Sequence, residues 1–323
     1  MTYAASFADV RDAAARIRDH VHRTPVVTCR ALDELAGRSL FLKCENLQKV
    51  GAFKMRGATN AVLSLEPSAR ARGVVTHSSG NFAQALALAA RGVGVSAHIV
   101  MPRTAPAVKR DAVLGYGARV IPCEPNLAAR EETARRVLAE TGATFVHPYD
   151  QGSIIAGQGT CALELMEQVP DLDAVVAPVG GGGLMSGISI AARGLDPKIR
   201  LIGAEPAGAD DAARSLAAGE LLPQTGPDTI ADGLLTSLGK LTWPILRDHL
   251  ETIVTVTDDQ IVAAMRLVMS RAKLVVEPSA AVPVAAALSE RFRELEGLRR
   301  VGVVLSGGNV DLDRLPWNSG SEG

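Results

Sequence analysis

Aromatic side chains are scarce in this sequence, with two Trp, three Tyr and six Phe among 323 residues. Basic residues are not in excess either: 34 stand against 35 acidic ones, a net charge of −1. A nucleic-acid binder needs a basic face and usually rings that stack on bases, so both shortages argue against that class. Cysteine is sparse and scattered. Cys29, Cys44, Cys123 and Cys161 form no CxxC pair, so neither a zinc site nor a disulfide framework is indicated. Long apolar runs are missing as well. The longest uncharged stretch, 174–192, holds Gly180, Gly181, Gly182, Gly183 and Gly187, which spoils a membrane helix but suits a strand, a loop and a helix. Residues 1–20 carry Asp9, Arg11, Asp12, Arg16, Arg18 and Asp19, so no apolar signal-peptide core is present there. A cytoplasmic protein without a membrane segment is expected.

Apolar residues make up 47% of the chain and charged ones 21%, an ordinary globular balance with length enough for two domains. Short Val/Ile-rich runs at 39–43, 74–77, 96–100, 119–121, 144–146, 174–178, 200–204, 252–256 and 301–305 read as strands. Between them, helical patterns fall at 81–91, 107–114, 127–140, 154–168 and 259–271. Apolar strands separated by helices predict an α/β protein with a mostly parallel sheet. From 73 to 147 the strand–helix alternation runs on its own, which predicts a small domain inserted into a larger one made of 1–72 and 148–323. Only the tail, 318–323, reads as disordered.

Three strands end in small, donor-rich turns: Ser78-Ser79-Gly80-Asn81, Gly180-Gly181-Gly182-Gly183 and Ser306-Gly307-Gly308-Asn309. Ligands of open parallel sheets bind at the carboxyl ends of strands. Glycine lets backbone N–H groups close on an anion, and a following helix adds its positive end. The tetraglycine, opening a helix at Leu184, is therefore the best phosphate cradle in the chain. No GxxxxGK[ST] exists, so a P-loop nucleotide is not indicated. A nicotinamide dinucleotide site is the rival: Gly181, Gly183 and Gly187 make GxGxxxG, and Glu205 ends the next strand where a ribose-binding acid would stand. The standard spacing fails, because Met185 and Ser186 hold the third-glycine positions.

The segment Gly51-Ala52-Phe53-Lys54-Met55-Arg56-Gly57-Ala58 is the most informative. A lysine at a helix start meets the positive end of the helix dipole, which favours the neutral amine that a nucleophilic lysine requires.

Together, Lys54 in its GAFKMRGA context, the SSGN loop, the GGGG loop and the SGGN loop resemble the fold-type II pyridoxal-phosphate enzymes, in particular the serine/threonine dehydratase and serine racemase family. The resemblance spans nearly the whole chain. It implies two open, mostly parallel sheets flanked by helices, with a small domain inserted in a large one. It implies that Lys54 binds the cofactor covalently and removes the α-proton, with Phe53 packed on the ring. Gly180, Gly181, Gly182, Gly183 and Leu184 would cradle the phosphate, Asn81 would hydrogen-bond the ring hydroxyl, and Ser306 would face the pyridine nitrogen. A neutral hydroxyl there leaves the ring a weak electron sink, which suits loss of a β-hydroxyl. Ser79 takes the place of an acid/base on the face opposite the lysine. Ser78, Ser79, Gly80 and Asn81 are implied substrate contacts, and so are Arg130 and Ser237; an arginine can grip a carboxylate through two parallel bonds. Glu205, the Ala209 carbonyl and Asp211 resemble a divalent cation loop, whose hard oxygen ligands suit Mg²⁺, Ca²⁺ or Mn²⁺. A homodimer is implied as well.

Two features depart from the family pattern. Phe82 stands where histidine usually follows SSGN, and Gly51-Ala52 replaces the serine-led start common in racemases, a form shared with relatives that dehydrate hydroxyaspartate. The chain ends soon after Asn309, so the regulatory domain of biosynthetic threonine deaminases is not expected. The resulting expectation is dehydration and deamination of a small β-hydroxy-α-amino acid, L-serine, L-threonine or 3-hydroxyaspartate, to a 2-oxo acid and ammonia. Amino-acid racemisation is the alternative within the family, and a nicotinamide oxidoreductase is the alternative outside it.

Overall fold

The computed structural model describes residues 2–318, so the tail expected to be disordered lies outside the described residues from 319 on. Ten strands build two sheets: β1 (Val26–Thr28), β2 (Ser39–Cys44), β3 (Val74–His77), β4 (Ala97–Pro102), β5 (Arg119–Cys123), β6 (Thr144–Phe145), β7 (Ala174–Pro178), β8 (Arg200–Pro206), β9 (Thr252–Val256) and β10 (Arg300–Leu305). The larger sheet has the order β1-β2-β10-β7-β8-β9, and the smaller one β5-β4-β3-β6. All pairings are parallel except β1 with β2.

The central strands are apolar on both faces because both faces are covered. Ala174 and Val176 of β7 enter one core with the helix Pro278–Leu288, while Val175 and Ala177 enter another with the helices Gly152–Gln168 and Gly183–Leu195. Register sets Val303 of β10 beside both Leu42 of β2 and Val176 of β7. The carboxyl ends of these neighbours therefore deliver the Ser306 loop and the tetraglycine side by side. β3 delivers Ser78–Asn81 from the other sheet.

Backbone contact mounts the lysine. The helix Lys54–Leu63 lies against Gly152–Gln168 so closely that a Cβ at Gly157 would come within 2.6 Å of the Gly57 Cα. Gly152–Gln168 meets Gly183–Leu195 in the same way, with a Cβ at Gly159 only 2.7 Å from the Gly187 carbonyl.

The elements differ from the sequence pattern where periodicity is absent or broken. Pro278–Leu288 is an Ala/Val helix buried on nearly all sides, so it has no polar stripe to betray it. Phe7–Ile17 is started by a capping box in which Ser6 and Asp9 exchange bonds. The pattern at 259–271 resolves into the helix Asp258–Leu267 and a wider π-type turn, Val268–Ala272, closed by Lys273 at φ 60°. Among the described residues, no helix is long and apolar enough to cross a membrane.

Candidate active site

Lys54 is the first residue of its helix, and the chain before it is stitched to the Ser306 loop. Phe53 N–H donates to the Ser306 carbonyl at 3.0 Å, and Gly308 N–H donates to the Gly51 carbonyl at 2.8 Å. Asn309 Nδ2 donates to the Val50 carbonyl at 2.7 Å. Gly51 adopts φ 69°, and a Cβ there would sit 2.7 Å from Asn309 Oδ1, so only glycine fits. The half-buried Lys54 donates from Nζ to the Pro148 carbonyl at 3.0 Å, with the ring centres of Phe53 and Phe82 at 4.9 and 5.9 Å. Burial pulls its pKa down to about 8, and the charge of Glu277 opposes the shift. The depressed pKa agrees with the helix-start argument, but its main cause is desolvation. Phe82, in the place of the family's histidine, is buried with Met55 and Ala58 in the core of the smaller sheet.

The tetraglycine loop is buried and walled in. A Cβ at Gly181 would strike the Tyr149 ring, one at Gly182 would meet Thr242 Oγ1 at 2.7 Å, and one at Gly180 would meet the Leu234 Cα at 3.1 Å. Gly182 has φ 86° and leads into the helix Gly183–Leu195 without any side-chain cap. Leu184 lies in its first turn and is buried. Backbone N–H groups at a helix start lack partners within the helix, so a buried, uncapped start of this kind matches an anion.

The Ser78 N–H donates to the Val100 carbonyl at 3.2 Å, Ser79 is half-buried, and the space beside Gly80 is open. Asn81 starts the next helix. Its Nδ2 donates to Glu277 Oε1 and Oε2 at 2.9 and 3.1 Å, and its Oδ1 accepts from Asn309 Nδ2 at 2.9 Å. Ser306 is buried at the end of β10.

Glu277 and the turn His147–Asp150 carry no local motif that points to a site, whereas Asn309 ends the SGGN loop. His147 Nδ1 accepts the backbone N–H groups of Tyr149 at 3.3 Å and Asp150 at 2.8 Å, which fixes the turn that presents the Pro148 carbonyl. Burial drives its pKa down to about 4, so the ring is neutral. The Asp150 carboxylate ties the turn to Leu241 N–H at 2.8 Å, near Thr242 and the glycine loop.

Arg130 stands on the smaller sheet's side, where its charge lowers the His77 pKa beside the serine loop after burial has done most of that work. Its Nε is buried without a hydrogen-bond partner. The Ser237 Oγ accepts the Gln224 N–H at 3.2 Å, and its neighbour Leu238 donates to Asp211 Oδ2 at 2.9 Å. Glu205 accepts the N–H groups of Ala212 at 3.2 Å and Ala213 at 2.7 Å. Glu205, Asp211 and Ala209 are fully buried, and burial raises both carboxyl pKa values. Asp211 Oδ1 is a buried oxygen without a partner. Two desolvated carboxyls and an orphaned oxygen fit a hard cation, although the described residues contain no group of three or more His, Cys, Asp or Glu that could hold a metal by themselves. Glu205 is bound to a helix start and sealed from solvent, so it is not free to grip a ribose as the dinucleotide reading requires.

The pyridoxal-phosphate dependent enzyme family matches residues 17–307. The chain is 52% identical over 320 residues to a serine racemase of Arabidopsis thaliana, covering 98% of this chain and 96% of that protein. It is 51% identical over 316 residues to a beta-hydroxyaspartate dehydratase of Paracoccus denitrificans, covering 98% of this chain and all of that protein. The crystal structure of serine racemase from Dictyostelium discoideum superposes with a TM-score of 0.93 at 48% identity, over 96% of this chain and 100% of that one. The chain belongs to the pyridoxal-phosphate dependent enzyme family.

Proposed function

We propose that this family member removes water and then ammonia from a small β-hydroxy-α-amino acid, L-serine, L-threonine or 3-hydroxyaspartate, giving a 2-oxo acid. Racemisation of the same substrate class is the alternative outcome, since both reactions begin with proton removal at the α-carbon. The observation that carries the reading is Lys54, whose amine has a pKa near 8 and lies between the Phe53 and Phe82 rings beside the Pro148 carbonyl.

Bound pyridoxal phosphate supplies an electron-accepting ring for the pair left at the α-carbon. The rest is work for the chain. Backbone N–H groups of Gly180–Gly183 and Leu184 hold the phosphate at a helix start. Phe53 supports the ring, Asn81 and Ser306 bond its edge, and Lys54 Nζ takes the α-proton. Ser79 serves the opposite face, where it positions the substrate or carries the second proton needed for racemisation. Ser78, Gly80, Asn81, Arg130 and Ser237 make up the substrate side, and the unpartnered Arg130 Nε suits a carboxylate. Glu205, Asp211 and the Ala209 carbonyl hold Mg²⁺, Ca²⁺ or Mn²⁺. Residues 73–147 act as a small inserted domain, and the enzyme works as a homodimer in the cytoplasm.

The test is a panel of L- and D-serine, L-threonine and the 3-hydroxyaspartates, with 2-oxo acid, ammonia and enantiomer ratio measured together. At least one substrate should be dehydrated. Neither elimination nor racemisation on any of them overturns the reading. In the same panel, Ser79→Ala should suppress racemisation and D-substrate turnover far more than elimination from the L-substrate. Equal losses would assign Ser79 to substrate positioning alone.

A further inference from the structure

The turn His147–Asp150 lies outside every motif, yet it reaches both halves of the site. Toward Lys54 it offers the Pro148 carbonyl, which accepts from Nζ at 3.0 Å. The Phe53 and Phe82 rings flank the same amine at 4.9 and 5.9 Å, so the carbonyl is its directed contact. Toward the tetraglycine loop the turn sends Tyr149, whose ring a Cβ at Gly181 would strike. It also sends Asp150, whose Oδ1 accepts the Leu241 and Thr242 N–H groups at 2.8 and 3.2 Å. Thr242 Oγ1 donates in turn to the Gly181 carbonyl at 2.8 Å.

Among the described residues, no backbone hydrogen bond joins 147 to 150. A side chain closes the turn instead. His147 Nδ1 accepts the Asp150 N–H at 2.8 Å and the Tyr149 N–H at 3.3 Å. An Asn or Asp side chain makes the same contact in an Asx turn, with an oxygen where the imidazole has nitrogen. Pro148 has no N–H of its own and restricts the backbone of His147 before it. The His147 N–H donates to Gln151 Oε1 at 2.9 Å, and its ring meets the Tyr149 ring edge-on at 4.6 Å. With two N–H groups aimed at Nδ1, the proton of the neutral ring sits on Nε2.

We propose that the Pro148 carbonyl is the dock of the free Lys54 amine, and that His147 is the positioning residue that holds this dock in place. The proposal rests on Lys54 being the cofactor-binding lysine. An amine that gives one hydrogen to a fixed acceptor loses its free rotation, and its lone pair is turned away from that acceptor. The amine is in this state before the cofactor joins it, and again when it takes the α-proton. Because the same turn is tied to the glycine loop, it sets the lysine and the phosphate seat in one frame.

The experiment follows capture of added pyridoxal phosphate by the cofactor-free protein, at a pH above the Lys54 value of about 8 so that the amine is mostly neutral. Amine and aldehyde form a carbon–nitrogen double bond, and both amine hydrogens leave with the aldehyde oxygen as water. The concentration giving half-saturation reports how the phosphate is seated. The limiting rate reports how the amine is placed. His147→Leu removes the acceptor and should lower the limiting rate about ten- to a hundredfold, with half-saturation changed less than about twofold. His147→Asn puts an oxygen in the place of Nδ1 and should restore the rate to within about threefold. His147→Gln, whose oxygen lies one bond further out, should stay slow. Melting curves establish that each variant folds; if His147→Leu does not, Asn against Gln decides. An unchanged limiting rate in His147→Leu, equal rates in the Asn and Gln variants, or a change confined to half-saturation overturns the proposal. Failure of the unaltered protein to form a lysine-linked chromophore would overturn instead the assignment of Lys54 beneath it.

Discussion

Lys54 and Arg56 stand two positions apart on one helix, and their surroundings are opposite. Arg56 is fully buried and spends its guanidinium on two carboxylates: Nε on Glu45 at 2.7 Å, Nη1 on Glu164 at 2.7 Å, and Nη2 on each of them at 2.8 Å. Lys43 completes the set, with Nζ 2.7 Å from Glu164 and 2.8 Å from the Thr24 carbonyl. Desolvation works against the Arg56 charge, but Glu45 and Glu164 outweigh it and its pKa rises well above the usual value. Lys54 has a carbonyl oxygen as its hydrogen-bond partner and two rings for walls, and desolvation wins. A buried cation keeps its proton where its donors are matched by carboxylates, and yields it where they are not. The same short helix thereby carries one cation tied into the fold and one able to give up its proton.

The contrast breaks most visibly at Lys54. Lys54→Ala should abolish the lysine-linked chromophore and reduce turnover by about a thousandfold or more, the scale of losing a positioned base, while the fold survives. Retention of the chromophore would assign the cofactor to another lysine. The pH signature belongs to the same residue. Its folded pKa lies below its unfolded value of 10.5, so the folded state binds fewer protons between about 8 and 10.5. Stability of the cofactor-free protein should therefore gain from rising pH across that window, relative to Lys54→Ala. Absence of that difference in urea titrations would mean the amine is not buried in solution.

At Arg56 the expected loss is one of stability. Arg56→Ala strands Glu45 and Glu164 and should cost about 3–5 kcal/mol in urea unfolding, as for other buried pairs broken on one side. A cost below about 1 kcal/mol would erase the distinction between the two cations. The smallest effect concerns Glu205 and Asp211, buried carboxyls that make no direct ion pair among the described residues, with Arg214 paired to Asp210 instead. If a divalent ion serves them, chelation should remove up to about 2.7 kcal/mol at a hundredfold excess over its dissociation constant, lowering the melting temperature and the rate together. Asp211→Asn should abolish the response to chelator, and unchanged melting after thorough chelation would remove the ion from the site.

Much of this was legible in the sequence, because the residues concerned lie in local patterns. The strands at 74–77, 174–178 and 252–256 have the bounds that their Val/Ile runs suggest; 174–178 is central and buried at every position, while 252–256 is an edge strand in which exposed Thr255 falls between buried Val254 and Val256. Lys54 and the tetraglycine stand out because glycine and a misplaced charge are local signals. Glu277 stands out by nothing local: a glutamate before a proline reads as an ordinary helix start, and its contact with Asn81 spans 196 positions. His147 escapes for the same reason, since its role as a neutral acceptor depends on burial by distant chain. Ser237 looks like a substrate residue by its motif, and its hydroxyl oxygen accepts the Gln224 N–H while keeping its own proton to donate, a long-range contact the motif does not reveal.

The close glycine contacts among the helices 54–63, 152–168 and 183–195 bear on how such a protein can change over time. Lys54 and the tetraglycine loop ride on a block whose spacing is set largely by close backbone contacts at Gly157, Gly159 and Gly187. Substitution at Gly57, Gly157, Gly159 or Gly187 would pry the block apart, so drift at these positions is blocked. The serine loop and Arg130 are carried by the other sheet, which packs on the block through Phe82 against Met55 and Ala58 and meets the loops of the larger sheet through Asn81 and the Lys109–Asp232 pair. Residues on that side can therefore be exchanged while the spacing of Lys54 and the tetraglycine loop cannot itself be re-cut.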